Sequence, residues 1–277
     1  MTRPRGANRS RLAHGLRIAR VLLSTQYAYM LEYRAEIVLW ALSGVLPLIM
    51  LGVWSGAEAT GGPDATGGLG AQALGRYFLS AFVVRQFTIV WVIHSFEEDT
   101  LAGRLSPYLL QPLVPVWRYV TAHLAEQVTR LPFVLAILAL VFLIHPAIAW
   151  LPSPPRLLAA LVAIPMAFAL RFAIQWILTM LCFWTERAAA LERLMYIPYL
   201  FLSGLVAPLE AYPEGVRAFA MATPFPWMVH FPAQLLAGGE VPVARGFTAL
   251  LLWTLVLVPI GWAGWKLGVR RHSALGA

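Results

Sequence analysis

Long apolar runs separated by short polar interruptions dominate this chain. A helix that crosses a hydrocarbon core of roughly 30 Å needs about 20 apolar residues. Six stretches approach that length: residues 37–54, 77–93, 131–150, 157–184, 195–208 and 247–267. The fifth is short. A proline-rich, mildly apolar segment follows it at 209–236 and carries Glu210, Glu214 and Arg217. Such a segment dips into a membrane without crossing when protein shields its backbone. The pattern predicts an all-α polytopic membrane protein with six transmembrane helices and a re-entrant segment after the fifth. Residues 37–277 then form one transmembrane domain, and residues 1–36 precede it.

Two polar interruptions carry their own periodicity. In the first, Leu12, Leu16, Ala19, Leu23, Tyr27 and Met30 recur at steps of three and four, with Arg11, Arg17 and Arg20 mostly off that stripe. This predicts an amphipathic helix lying in the headgroup plane; a helix packed on other protein is the alternative. In the second, at 96–113, Glu97, Glu98 and Asp99 open the segment, a turn at 103–105 interrupts it, and Ser106-Pro107 restarts it as a short amphipathic helix. A charged helix held between membrane spans must face water or a soluble partner.

Composition agrees with the pattern. The 277 residues are 60% hydrophobic and 12% charged, with a mean hydropathy of +0.70; soluble domains carry about 25% charged residues. The single cysteine, Cys182, excludes an intramolecular disulfide. No signal-peptide pattern occurs in 1–36, so the first span is expected to stay as an anchor. The net charge of +8 gathers at span ends, which points to anionic headgroups rather than nucleic acid. With the N-terminus in the cytoplasm and six spans, fifteen basic residues fall inside and four outside (Arg76, Arg156, Arg217 and Arg245). That bias places both termini and the acidic segment in the cytoplasm. The glycine-rich stretch at 55–75 becomes an external, mobile loop.

Several chemistries are missing. Lys266 is the only lysine, and Leu267 follows it, so there is no phosphate-binding Gly-x-x-x-x-Gly-Lys-Ser/Thr loop. The six histidines are scattered singly, without the spacing of a zinc site. No catalytic residue, cofactor site or metal site is expected. Arg85 in the second span and Arg171 in the fourth lie near mid-membrane, with Gln175 one turn from Arg171. No carboxylate sits at comparable depth; Glu126 is nearest and pairs with Arg130, four residues on. Intramembrane charges usually face a bundle interior or a wet cavity. Two readings stand: the arginines meet an anionic group of a transported molecule, or they bond free carbonyls where the fifth span breaks. Pro47, Pro132 and Pro165 predict kinks, and Gly44, Gly52 and Gly204 predict close helix packing.

Three motifs carry a family resemblance: Gly-Arg-Leu-Ser-Pro-Tyr-Leu-Leu-Gln-Pro-Leu at 103–113, Phe-Trp-Thr-Glu-Arg at 183–187, and Phe-Leu-Ser-Gly-Leu-Val-Ala-Pro-Leu-Glu at 201–210, followed by Pro-Phe-Pro at 224–226. With them the chain resembles the permease subunit of a type 2 ABC exporter, closest to a bacterial subfamily of uncharacterised ABC-type transport permeases. Gln111 departs from the arginine expected there. The resemblance implies that the helix after span two is a coupling helix docking on an ATP-binding subunit through Glu97, Glu98, Asp99, Arg104, Leu105 and Tyr108. It implies that residues 1–36 hold a connecting helix. It implies two copies of the ATPase, which carries ATP and Mg, and a second permease subunit, either a different chain or a second copy. The expected location is the bacterial inner membrane.

Two other classes compete. A membrane enzyme acting on lipids or lipid-linked substrates would need a cluster of reactive side chains at one membrane face. His94, Glu97, Glu98 and Asp99 form the one candidate, and they also suit the coupling role. A membrane scaffold without transport leaves the mid-span arginines without a purpose.

Overall fold

The computed structural model describes residues 5–32, 44–62, 66–185 and 188–274, with backbone alone for 5–14 and 273–274. Residues 37–43 of the first expected span, and Glu186 and Arg187, lie outside them. All regular structure in the described residues is helical: α1 (Arg5–Glu32), α2 (Leu46–Gly61), α3 (Ala71–Thr88), α4 (Val92–Leu101), α5 (Leu105–Leu109), α6 (Val116–Ile144), α7 (Pro154–Thr179), α8 (Ala189–Leu202), α9 (Glu214–Met221), α10 (Phe225–Met228), α11 (His230–Ala237) and α12 (Val243–Ala274).

Four helical stretches among the described residues are long and apolar enough to cross a membrane: Ala71–Leu101, Val116–Ile144, Pro154–Phe183 and Val243–His272. They correspond to expected spans two, three, four and six, and each is longer than its apolar run. The third starts fifteen positions before residue 131, because Arg118, His123, Glu126 and Arg130 interrupt the apolar run without interrupting the helix. The first and fifth expected spans are not among the four. α2 has 16 residues and α8 has 14, and at 1.5 Å per residue α8 rises only about 21 Å.

The first long stretch is two helices. α3 stops at Thr88 and α4 starts at Val92, so residues 89–91 leave backbone groups without helical partners. α6 repairs the gap. The Trp91 amide donates to His123 Nε2 at 2.7 Å, and Arg130 Nη1 donates to the Gln86 carbonyl at 3.4 Å. His123 Nδ1 lies 2.6 Å from the Tyr119 carbonyl, which fixes the tautomer with the proton on Nδ1. A buried amide left unpaired costs about 1–3 kcal/mol, so such side-chain partners are what a mid-bundle break requires. Arg130 also pairs with Glu126, as its spacing predicts.

The segment after α8 is a folded plug. The Tyr77 hydroxyl donates to the Gly204 carbonyl at 2.7 Å and lies 3.1 Å from His230 Nδ1. The His230 amide donates to the Ser203 carbonyl at 3.0 Å. Glu210 accepts from Gln234 Nε2 at 2.9 Å. Seven of the eight residues of α11 are buried, and the helix packs against α3 and α7. Trp54 and Trp150 donate their indole N–H to the carbonyls of Val206 and Leu236, each at 2.8 Å.

Three expectations change here. α2 runs through Gly61, so much of the stretch at 55–75 is helix. The described part of the remaining loop is anchored, with Gly67 at φ +68° and its α-carbon seated on the backbone of Glu210 and Ala211, where a Cβ would fall 2.5 Å from the Glu210 carbonyl oxygen. Pro47 occupies the first turn of α2 and makes no kink, whereas Pro132 and Pro165 lie inside helices. Gly204 serves a backbone turn at φ +87° rather than helix packing.

α1 rests on α6, with Ala19, Leu23 and Tyr27 facing Ala125 and Val128 across an apolar groove. Ile18, Ala19, Leu22, Leu23, Gln26 and Met30 are half-buried, while Leu16 and Tyr27 stay exposed. The stripe is therefore rotated from the one its apolar residues suggest, and part of it is covered by protein.

Candidate functional site

The acidic segment lies at the end of the bundle where α4, α6, the 3-10 turn Met180–Phe183, α8 and α12 meet. Phe96 anchors it. This fully buried ring packs at 5.5–6.3 Å between centroids against Tyr119, Trp176, Phe183 and Trp265. The acids follow it directly, at 97–99. Gly103 takes φ +71°, the left-handed region, and the chain reverses into α5. The Arg104 amide closes the reversal on the Asp99 carbonyl at 2.8 Å.

The six side chains expected to dock divide into two groups. Leu105 is 0% exposed and belongs to the cluster around Phe96, so it holds the turn and presents nothing to a partner. Glu97 points inward, its Oε2 accepting the Ala189 amide at 2.7 Å at the first turn of α8. A carboxylate at a helix N-terminus satisfies an orphan donor and complements the helix dipole. Asp99 accepts from Arg104 Nε at 2.6 Å and from the Tyr119 hydroxyl at 2.8 Å. Glu98, with its side chain 74% exposed, accepts from Arg104 Nη2 at 2.8 Å. Asp99 first and Glu98 second hold the Arg104 guanidinium well above its ordinary range, so it is charged at every working pH. Tyr108 is half-buried under the Arg118 guanidinium, 4.5 Å from its ring centre.

The outward face therefore comprises Glu98, Leu101, Arg104, Pro107 and Leu110, the last 89% exposed. Leu101 and Leu110 were not singled out from the sequence, where the charges of the segment drew the attention. Gln111 is exposed and accepts from Arg118 Nη2, so the side chain that departs from the expected arginine is itself paired with one. Ser106 lies 3.3 Å from His272, which ties the segment to the end of α12.

Arg85, Arg171 and Gln175 come together in a second, buried layer nearer mid-bundle. Arg85 and Arg171 are each 6% exposed. Arg85 Nη2 donates to the Tyr196 hydroxyl at 3.3 Å. The Arg171 guanidinium lies 3.9 Å above the ring of Tyr199. Neither bonds the free carbonyls beyond α8; Tyr77 and the His230 amide meet those of Gly204 and Ser203. A carboxylate does reach this layer, against expectation. Glu192 Oε1 accepts from Gln175 Nε2 at 2.8 Å, and its Oε2 lies 2.8 Å from His94. Glu192 escaped notice because it precedes the apolar run of span five, whereas α8 begins at Ala189.

Among the described residues, no three histidine, cysteine, aspartate or glutamate side chains gather as a metal site would require. The family of ABC-2 family transporter proteins matches the chain over residues 71–276, which takes in the acidic turn, the arginine layer and the plug. No curated protein matches it.

Proposed function

The chain belongs to the ABC-2 family of transporter proteins, and from that premise we propose that it is the permease subunit of an ATP-driven exporter. Membership makes it a multi-pass membrane component of an ABC transporter, with an ATP-binding subunit as its associate, rather than an enzyme in its own right. In this reading ATP and Mg sit on the partner, and nucleotide-driven closure moves the permease as a rigid-body gating change. The acidic turn receives that motion.

The observation that carries the reading is the construction of the turn. It has a rigid, buried base in Phe96 and Leu105 and an exposed crest of Glu98, Arg104 and Leu110. The crest joins the ends of two membrane-crossing stretches. Force applied there reaches α4 and α6 directly, and reaches α8 through the Glu97–Ala189 bond. The contact set becomes Glu98, Leu101, Arg104 and Leu110, with Glu97, Asp99 and Leu105 as supports and Tyr108 between the two.

The remaining parts follow the same premise. α8 and the turns after it carry the chain back toward the end where α12 begins, giving a fifth span completed by the plug at 209–236. With the first span that makes six, both termini cytoplasmic, in a bacterial inner membrane. α1 is the connecting helix. Two ATPase copies serve two permease chains, a pair of unlike chains or a homodimer. The test is co-purification: the full chain, extracted in mild detergent, brings an ATPase with it. A preparation in which no ATPase accompanies the folded chain, even when its genomic neighbours are co-expressed, defeats the proposal.

A further inference from the structure

The arginine layer contains more donors than acceptors. Arg85 Nε and Nη1, Arg171 Nη1 and the Tyr199 hydroxyl are all buried without a hydrogen-bond partner among the described residues. Arg171, Gln175, Tyr196 and Tyr199 share one small cavity of about 20 Å³, closed on its apolar side by Phe225 and Met228. A buried polar group without a partner is costly, and an unpaired buried charge more so. With Gln175 Oε1, an acceptor, there are five orphaned polar atoms around one layer, and the three on cations describe a site that lacks its ligand.

Charge and shape define that ligand. Arg85 and Arg171 repel one another, and Glu192 offsets one of the two positive charges. One positive charge remains. Arg130, the other buried guanidinium at this depth, is already paired with Glu126. A single negative charge neutralises the layer, and guanidinium forks match the geometry of oxyanions. The apolar wall suits a ligand with an apolar body. We infer that Arg171 and Tyr199, with Arg85 behind them on the hydroxyl of the lining Tyr196, form a binding site for the singly charged oxyanion of an amphiphilic molecule, of which a phosphodiester is the model.

The cavity takes one oxygen-sized group in this conformation. The site thus has room for a single oxyanion oxygen, and admitting the rest of a headgroup requires one wall to yield. α8 is the wall built to do so: only Ala189 and Tyr199 of its 14 residues are buried. Glu97 holds its first turn from the acidic segment. Glu192, on that same helix, bonds both His94 of α4 and Gln175 of the site. The inference rests on the transporter reading for its meaning, since a phosphodiester amphiphile would be the cargo or a lipid that accompanies it.

The test uses the full chain with whatever subunits co-purify, in nonionic detergent, and two probes: dihexanoyl phosphatidylglycerol and inorganic phosphate. Binding is read as a saturable rise in the thermal midpoint. The lipid raises it for the wild-type chain, and Arg85→Gln or Arg171→Gln each weakens binding at least about tenfold, the scale of removing one partner from a buried charged contact. Tyr199→Phe weakens it about threefold, and Arg156→Gln, which removes a bond to the Gly239 carbonyl far from the layer, leaves it unchanged. A response to phosphatidylglycerol alone identifies an amphiphile; an arginine-dependent response to phosphate as well identifies the oxyanion itself as the recognised part. If the glutamine variants fail to fold, Arg171→Lys keeps the charge and loses the fork, and is expected to bind more weakly at an unchanged ligand-free midpoint. Binding that is the same in these variants as in the wild type, or no response to either probe, overturns the inference. Loss of probe binding with the ATPase still attached removes only the site; retained binding without any ATPase removes the transporter reading instead.

Discussion

The hydroxyl of Tyr119 donates to Asp99 across 2.8 Å, and that bond fastens the acidic turn to the root of a membrane-crossing helix. Asp99 is mostly shielded, and the same carboxylate orders Arg104. Hydrogen bonds to charged groups contribute about 1.5–3 kcal/mol when the site is partly dry. Tyr119→Phe is expected to lower stability by about 1–2 kcal/mol and to reduce transport-coupled ATP hydrolysis while the ATPase still binds. A lowered midpoint with coupling intact would separate the bond from the function.

The Glu97 bond to the Ala189 amide predicts a local effect. Glu97→Ala removes a helix-terminal acceptor, worth about 1 kcal/mol. Hydrogen exchange should quicken across the first turn of α8, near 188–192, and remain unchanged in α12. Uniform quickening along the chain would mean that the residue acts globally.

The pair made by Arg104 and Glu98 is exposed and predicts little for stability. Surface ion pairs contribute between 0 and about 1 kcal/mol. Glu98→Gln should leave the thermal midpoint within about 3 °C, while its effect appears in the association rate with the ATP-binding subunit and fades at high salt. A large loss of stability would show that the crest is part of the core.

The turn at Gly204 predicts a large one. Its φ is +87°, and a Cβ there would lie 2.3 Å from the Tyr77 hydroxyl. Gly204→Ala adds backbone strain of about 1–3 kcal/mol to the loss of that hydrogen bond. Folded protein recovered in detergent should fall sharply, and Tyr77→Phe, which spares the backbone, should be milder. Equal effects would place the cause in the bond alone.

Much of this was legible in the residues, and the remainder has identifiable reasons. Hydropathy located four crossing stretches because lipid demands apolar length. It misplaced their ends where polar side chains are paired inside the bundle, as Glu126 and Arg130 are. The break at 89–91 left no local mark, since Ile89, Val90 and Trp91 are apolar; its cause lies on α6, in His123 and Arg130. The acidic turn was visible from its charges and its glycine. Which acids face outward was not, because Glu97, Glu98 and Asp99 are chemically alike and differ only in what stands opposite. Arg85 and Arg171 stood out as lone charges in apolar runs, whereas Tyr196 and Tyr199 carried no such contrast.

The most direct measurement of the central claim is site-specific crosslinking from the crest of the turn. The only native cysteine, Cys182, is buried, so an introduced cysteine on the surface reacts alone. In the full complex, Leu110→Cys and Glu98→Cys are expected to crosslink to the ATP-binding subunit, and Leu151→Cys, equally exposed beyond the far end of α6, is not. Crosslinking from position 151, or from neither 98 nor 110, would contradict the account.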